Sequence, residues 1–271
     1  AADNRYVCVS GDDTLPDMHL GRLPVKTPAE AEALVEKIIA HADQVMSPRG
    51  AWANRALFVA DNEDDAGDFH ALSDAVADHY VPEAYTVQKI YYGTAPYTET
   101  VSTRRAVTEA INSGVLLVNY VGHGAVEYWA GEKLLARSYL GGLTNSGRLP
   151  LMVPMTCWEG YYIRPSSPDR DYSALAEAIV RLPTTGAIAS WSATGFGLAH
   201  GHDYLNRGLF EALFWKDITA LGPATTYAKL YLADNSAGYD DLLDTYLLFG
   251  DPATRLRPIL IYLPLVMRSI P

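Results

Sequence analysis

A histidine and a cysteine, each beside glycine at the end of an apolar run, are the residues of this sequence best suited to covalent chemistry. The first run is Val115-Leu116-Leu117-Val118-Asn119-Tyr120-Val121, which ends in Gly122-His123-Gly124. The second is Leu149-Pro150-Leu151-Met152-Val153-Pro154-Met155-Thr156, which ends in Cys157-Trp158-Glu159-Gly160. An imidazole can take a thiol proton or stabilise the thiolate, and the thiolate is a strong nucleophile. Gly122 and Gly124 allow a tight turn around His123 and leave room for a substrate backbone. The backbone N–H groups of Gly124 and Cys157 are candidate oxyanion donors, placed where a tetrahedral oxygen would form. The plain alternative is a satisfied core histidine and an inert buried cysteine. Two glycine-bearing turns, each after an apolar strand, favour chemistry over that alternative.

Such a pair needs a scaffold that brings two strand ends together. Short continuous apolar runs predict strands covered on both faces, hence a parallel sheet, and open parallel sheets carry their chemistry beyond the carboxyl ends of the strands. The rest of the chain fits that scaffold. Arg5–Val9 reads as a strand, with Cys8 as a small apolar member. Thr27 caps a helix with Pro28 at its first position and Glu30 completing a capping box; Leu34, Val35, Ile38 and Ile39 form its apolar stripe. Residues 55–60 read as a strand, and a helix follows with Phe69, Leu72, Val76 and Tyr80 in register. Residues 85–92 read as a strand and 100–111 as a helix, with Val101, Ala106, Val107 and Ala110 for its core face. Beyond Cys157, residues 161–171 form a proline-bearing loop predicted to wall the site. A short helix at 173–181, a strand at 186–191 and helices at about 202–215, 223–234 and 239–248 complete the reading. Alternating strands and helices predict right-handed crossovers in one sheet.

The most acidic loop, Asp61-Asn62-Glu63-Asp64-Asp65-Ala66-Gly67-Asp68, leaves a parallel strand at the same edge as His123 and Cys157. Carboxylates packed this densely repel unless solvated, protonated or bound to a cation. Asp68 could simply cap the next helix. The EF-hand pattern fails, since Ala66 stands where glycine is needed and Leu72 where glutamate is needed. A non-EF calcium site using Asp61, Asp64 and Asp65 is the metal expectation. His200-Gly201-His202-Asp203 is a weaker one, because that spacing on a loop rarely converges on zinc.

Several segments carry a resemblance to the gingipain-like cysteine peptidases, peptidase family C25, which share the caspase-type fold. They are Gly114 to Gly124 with Ala125-Val126-Glu127-Tyr128-Trp129, Leu143-Thr144-Asn145-Ser146-Gly147-Arg148-Leu149-Pro150, and Thr156-Cys157-Trp158-Glu159-Gly160. Further matches are Gly21-Arg22-Leu23-Pro24-Val25, Ala174–Ala178 with Gly186–Ser190, and Leu243-Asp244-Thr245-Tyr246 with Phe249-Gly250-Asp251-Pro252. The resemblance runs from about Gly21 to about Arg257, in the family's order. It implies an α/β, caspase-like three-layer α/β/α sandwich with a mostly parallel central sheet over residues 1–257. Part of an N-terminal subdomain is expected to be missing, and residues 258–271 are expected to be an edge strand or a linker to a further module. It implies a cysteine endopeptidase with His123 as base and acid and Cys157 as nucleophile. By the same resemblance Glu63 orients the imidazole, and Asp68 receives an Arg or Lys side chain at the residue before the scissile bond (P1). Trp158, Trp191 and Phe196 are the expected pocket walls. Protein or peptide substrates, a propeptide or further precursor domains, and a secreted or cell-surface location are implied as well. The thiol chemistry needs no cofactor; calcium would be structural.

Composition sets limits on this reading. The chain has 271 residues, 49% hydrophobic and 20% charged, which suits one large α/β domain or two small ones. Its net charge of −11, from 32 acidic and 21 basic residues, argues against nucleic acid and anionic membranes. No apolar run reaches membrane-span length, and no basic region followed by an apolar stretch opens the chain, so it reads as a mature or trimmed fragment. Two cysteines far apart are no disulfide framework. Two other function classes compete: a non-catalytic calcium-binding or adhesive module that keeps the fold, and a metal-dependent hydrolase built on the acidic loop. The second leaves the His123 turn and Cys157 without a role.

Overall fold

The computed structural model describes residues 1–47, 49–164 and 171–258. All but the first residue of the expected edge strand or linker at 258–271, and most of the predicted 161–171 wall, lie outside the described residues. The centre is a six-stranded sheet formed by β1 (Arg55–Ala60), β2 (Thr86–Tyr91), β3 (Leu117–Val121), β6 (Leu151–Met155), β7 (Ala189–Ala193) and β8 (Tyr246–Phe249), in the order β2-β1-β3-β6-β7-β8. All neighbours are parallel except β7 and β8. A separate two-stranded ribbon, β4 (Gly124–Ala125) with β5 (Tyr128–Trp129), springs directly from the His123 turn. This is the mostly parallel sheet that the apolar runs predict, in the α/β sandwich that the resemblance implies.

Alternate side chains of the central strands feed two cores, as a pleated strand requires. Phe58, Leu117, Val121, Leu151, Val153 and Met155 face one core, completed by α2 (Phe69–Tyr80), α5 (Ala199–Phe214) and α6 (Leu221–Asn235). Leu57, Val59, Val118, Tyr120 and Met152 face the other, under α1 (Pro28–Val45), α3 (Thr100–Ser113) and α4 (Leu175–Arg181). Asn119 is the polar exception in β3. Its amide is buried but satisfied, donating to Val153 O at 3.0 Å and to Asn206 Oδ1 on α5 at 2.9 Å.

The α1 cap forms as expected, with the Glu30 N–H donating to Thr27 Oγ1 at 3.2 Å. The stripe differs. Val35 and Ile39 are exposed, and Lys37, His41 and Val45 are buried with Leu34. The reason is that α1 packs where α4 ends, and the Lys37 ammonium donates to the carbonyls of Val180, Leu182 and Ala187. Those groups lack helical partners and accept the Lys37 N–H groups, although burial pushes the ammonium down to about 7. Val101 is likewise exposed, and Val107, Ala110 and Ile111 supply the core face of α3.

Two predicted elements are corrected. Residues 5–9 are not a strand: a 3-10 turn spans Asp3–Tyr6, and the Cys8 thiol donates to Asn4 O at 3.2 Å. The helix expected over 239–248 stops at Thr245, as α7 (Asp240–Thr245), and the apolar run Tyr246–Phe249 becomes β8. Distant motifs meet here. Arg22 N–H donates to Leu248 O and Gly250 N–H to Arg22 O, both at 2.8 Å. Asn145 Oδ1 accepts from Gly186 N–H at 2.9 Å, and its amide donates to Gly186 O at 2.8 Å.

Candidate active site

His123 and Cys157 stand two residues beyond the ends of neighbouring parallel strands, where Val121 is in register with Met155. The two turns are packed together tightly enough to dictate glycine. A Cβ on Gly124 would lie 2.4 Å from Thr156 Oγ1 and 3.1 Å from Cys157 O. A Cβ on Gly122 (φ +155°) would lie 2.4 Å from Asp61 Cβ and 2.6 Å from Tyr120 Oη. The backbone of His123 is fixed by three bonds. Its carbonyl accepts from Tyr120 Oη at 2.6 Å and from Ala130 N–H at 2.8 Å, and its N–H donates to Asp61 Oδ2 at 3.3 Å.

The imidazole is half-exposed, and its Nε2 sits 2.7 Å from Asp64 Oδ2. The Phe69 ring meets it edge-on at 5.2 Å. The carboxylate that holds the histidine is therefore Asp64, and the expectation for Glu63 is corrected. Glu63 is exposed; its carbonyl, not its carboxylate, is what the loop uses, accepting from Asn62 Nδ2 at 3.2 Å. The turn closed by Asp64 and Gly67 aims residue 64, not residue 63, at the strand edge. The Ala66 N–H and then the histidine hold the Asp64 carboxyl below its usual range.

The other loop carboxylates are dispersed. Asp61 is buried, accepts from the Asn62 N–H at 3.0 Å as well as from His123, and is pushed up by burial. Asp65 is exposed. Among the described residues no three His, Cys, Asp or Glu side chains converge as metal ligands. Asp61, Asp64 and Asp65 are thus not gathered as a calcium set. His200, His202 and Asp203 are not gathered either: His200 is exposed, His202 points into the core against Tyr246, and Asp203 pairs with Arg207 at 2.8 Å. Asp68 is exposed and caps α2, its Oδ1 accepting from Ala71 N–H at 2.9 Å.

Cys157 is partly buried. Its Sγ donates to Gly197 O at 3.3 Å, and burial pushes the thiol up, opposed by that hydrogen bond. Trp158 takes a left-handed backbone (φ +61°), an uncommon conformation for a bulky residue and one found at functional turns. Its ring packs against Phe196 at 4.6 Å and Tyr161 at 5.6 Å, so two of the three expected pocket walls touch each other. Trp191 does not join them. It is fully buried against Tyr246, because residue 191 of β7 points into the sheet core rather than past its end. The 194–199 loop closes the edge: a Cβ on Gly67 would touch Ala199 Cβ at 3.8 Å.

Sequence reasoning missed the ribbon, the Asp64–His123 pair, the Gly197 carbonyl and Glu159, which is fully buried two residues beyond Cys157. Glu159 carried a signal, being a carboxylate held between an apolar strand and Gly160.

Comparisons with known proteins agree with this architecture. The family model for peptidase family C25 matches residues 1–257. Gingipain R2 from Porphyromonas gingivalis is 24% identical over 277 residues, covering 95% of this chain and 35% of that protein. Lys-gingipain W83 from the same organism is 26% identical over 198 residues, covering 69% and 10%. The chain spans about a third, or less, of the length of these relatives. Among solved structures, the Arg specific cysteine proteinase gingipain R superposes with a TM-score of 0.75 at 21% identity, covering 94% of this chain and 59% of that one. A complex of the pro- and mature domains of Porphyromonas gingivalis RgpB gives 0.77 at 21%, covering 94% and 61%. These superpositions show a shared fold.

Proposed function

The chain belongs to peptidase family C25, and we propose from that premise that it is a cysteine endopeptidase acting through His123 and Cys157. The observation that carries the reading is the pairing of the two turns at the ends of β3 and β6, with Asp64 holding the imidazole at 2.7 Å. With Nε2 committed to Asp64, Nδ1 is the ring nitrogen that takes the thiol proton. The thiolate attacks the peptide carbonyl carbon, and the carbonyl π electrons move to oxygen, where the N–H groups of Gly124 and Cys157 are the proposed donors. Collapse expels the amine, which takes the proton from His123 and leaves a thioester. Water, deprotonated by His123, then hydrolyses the thioester and restores the thiol.

Burial of Cys157 opposes the thiolate, so the imidazole is what makes the nucleophile, and the pair must work together. For the substrate we infer a basic P1 residue, as the names of the Arg- and Lys-directed relatives suggest. Asp68 would receive it: Oδ1 is used by the helix cap, which leaves Oδ2 for a charge-assisted bond. Trp158 and Phe196 would flank the entering chain. A structural calcium, a propeptide and a secreted or cell-surface location belong to the same reading and rest on the family alone.

Fluorogenic peptides with Arg, Lys, Asp or Leu at P1 test it, assayed with the parent chain and with Cys157→Ala. Cleavage after Arg or Lys that disappears in the variant is expected. Cleavage after Leu or Asp would keep the thiol and overturn the role of Asp68. Absence of thiol-dependent cleavage would leave a non-catalytic module on a peptidase fold.

A further inference from the structure

Two residues beyond the thiol, Glu159 is fully buried, and neither carboxylate oxygen makes a well-aligned hydrogen bond. Its backbone cannot swing to let the side chain reach water. Trp158 N–H donates to Gly195 O at 3.0 Å, Gly160 N–H donates to Ala193 O at 2.8 Å, and Ala176 N–H donates to Glu159 O at 3.1 Å. The donors that face the carboxyl are the Ser192 hydroxyl and the Trp129 indole N–H. That indole N–H is also buried without a partner, and Ser192 is paired to Ser190 at 2.8 Å. Trp129 lies on the ribbon that grows from the His123 turn. Its ring stacks on Tyr120 at 4.4 Å, and the Tyr120 hydroxyl donates to the His123 carbonyl. Glu159 thus sits between the turn of the nucleophile and the ribbon of the base.

We propose that Glu159 is a proton-operated positioning residue for Cys157, holding the nucleophile's turn while neutral and disabling the thiol when ionised. The proposal rests on Cys157 being the reactive group. A neutral carboxyl can donate its O–H to Ser192 Oγ and accept the Trp129 N–H, which satisfies all three groups. The anion instead places a charge with no cation beside it in a dry site two residues along the turn from a thiol that must itself become negative, and like charges oppose each other's ionisation. Burial pushes Glu159 up to about 7. The groups acting on it from β7, β5 and α4 are Ser192, Trp129 and the Ala176 N–H, all uncharged. The titratable group facing it from β8 is Tyr246, pushed well above its ordinary value by burial and then by Cys157 and Glu159, and so neutral throughout the working range.

The test uses a Cys8→Ala background, in which Cys157 is the one remaining thiol of two. Alkylation by iodoacetamide is followed from pH 5 to 9 for Glu159, Glu159→Gln and Ser192→Ala, with peptide hydrolysis alongside and a thermal melt of each variant. Removing the charge should speed alkylation of the Gln variant about tenfold at pH 8, equivalent to about one unit in the thiol, with no difference at pH 5.5. Hydrolysis by the parent should fall through an alkaline limb near neutrality that the Gln variant lacks. Ser192→Ala removes a donor to the anion, so it should move the same limb to higher pH. Superimposable profiles for parent and Gln variant, or a loss that is uniform at every pH, would overturn the proposal. If the Gln variant does not fold, an unmoved limb in Ser192→Ala would do so. Alkylation needs no substrate: a shifted alkylation profile in a parent chain that cleaves no peptide would uphold the role of Glu159 and reject the peptidase reading instead.

Discussion

Replacing Gly122 by alanine probes how tightly the base is held. The new Cβ would sit 2.4 Å from Asp61 Cβ and 2.6 Å from Tyr120 Oη. Neither is the loose end of a flexible chain, since Tyr120 is fully buried and donates to His123 O, while Asp61 is buried and accepts from His123 N–H. The methyl therefore displaces two of the groups that fix the histidine backbone. Overpacking a close-packed site costs roughly 1–3 kcal/mol, and a left-handed φ on a residue with a Cβ adds roughly 1–2 kcal/mol. A total of about 2–5 kcal/mol corresponds to a fall in melting temperature of about 5–15 °C for a chain near this size. Moving the imidazole by about 1 Å should cost on the order of a hundredfold in kcat/KM for any peptide the parent cleaves. Gly131 is the internal control, because a Cβ there meets nothing within 4 Å. Calorimetry and peptide hydrolysis are run on both variants. A Gly122→Ala chain that melts within 2 °C or so of the parent with full activity would refute the claim that the turn is sterically locked.

Asp64→Ala should lower kcat by roughly tenfold or more, with little change in KM, while Glu63→Ala stays within about twofold; the reverse ranking in steady-state kinetics would return the orienting role to Glu63. Trp191→Ala should destabilise by about 3–5 kcal/mol in urea unfolding and leave P1 preference unchanged, because the ring fills the core. His202 gives a pH prediction. Burial pushes it from 6.5 down to about 4, so the folded chain prefers the neutral ring and stability is lost as pH falls from about 6.5 towards 4. Glu159 acts with the opposite sign: pushed from 4.5 up to about 7, it loses stability as pH rises through that interval. Each slope amounts to about 3 kcal/mol across its window, so the two partly offset each other between about pH 4.5 and 6.5. Denaturant midpoints should then slope in opposite directions with pH for His202→Asn and Glu159→Gln; parallel slopes would contradict the assignment of both groups.

The strand runs were legible because a strand buried on both faces has no room for polar residues, so β1, β3 and β6 appear almost as written in the sequence. The same legibility placed His123 and Cys157 at one edge, since residues just past parallel strands share that edge whatever their separation along the chain. The acidic loop was less legible. Asp61, Glu63, Asp64 and Asp65 are chemically alike, and the turn between Asp64 and Gly67, not residue type, selects which one meets the imidazole. Trp191 was misread for a related reason: the aromatic signal says that a ring is buried, and only the register of β7 says on which side. The α1 stripe failed because a lysine can be buried where carbonyls demand a donor, which no hydrophobic pattern encodes.

The hydrogen bonds around Cys157 also set an order of events during synthesis. The Cys157 turn hangs on the carbonyls of Ala193, Gly195 and Gly197, which are made some forty residues after it. The strand that presents those carbonyls, β7, is in turn braced by β8, whose residues come later still. A chain emerging from the ribosome therefore possesses its histidine and its thiol well before it possesses the frame that shapes the thiol. The edge that carries His123 and Cys157 can be completed only late, when nearly all the described fold has been made.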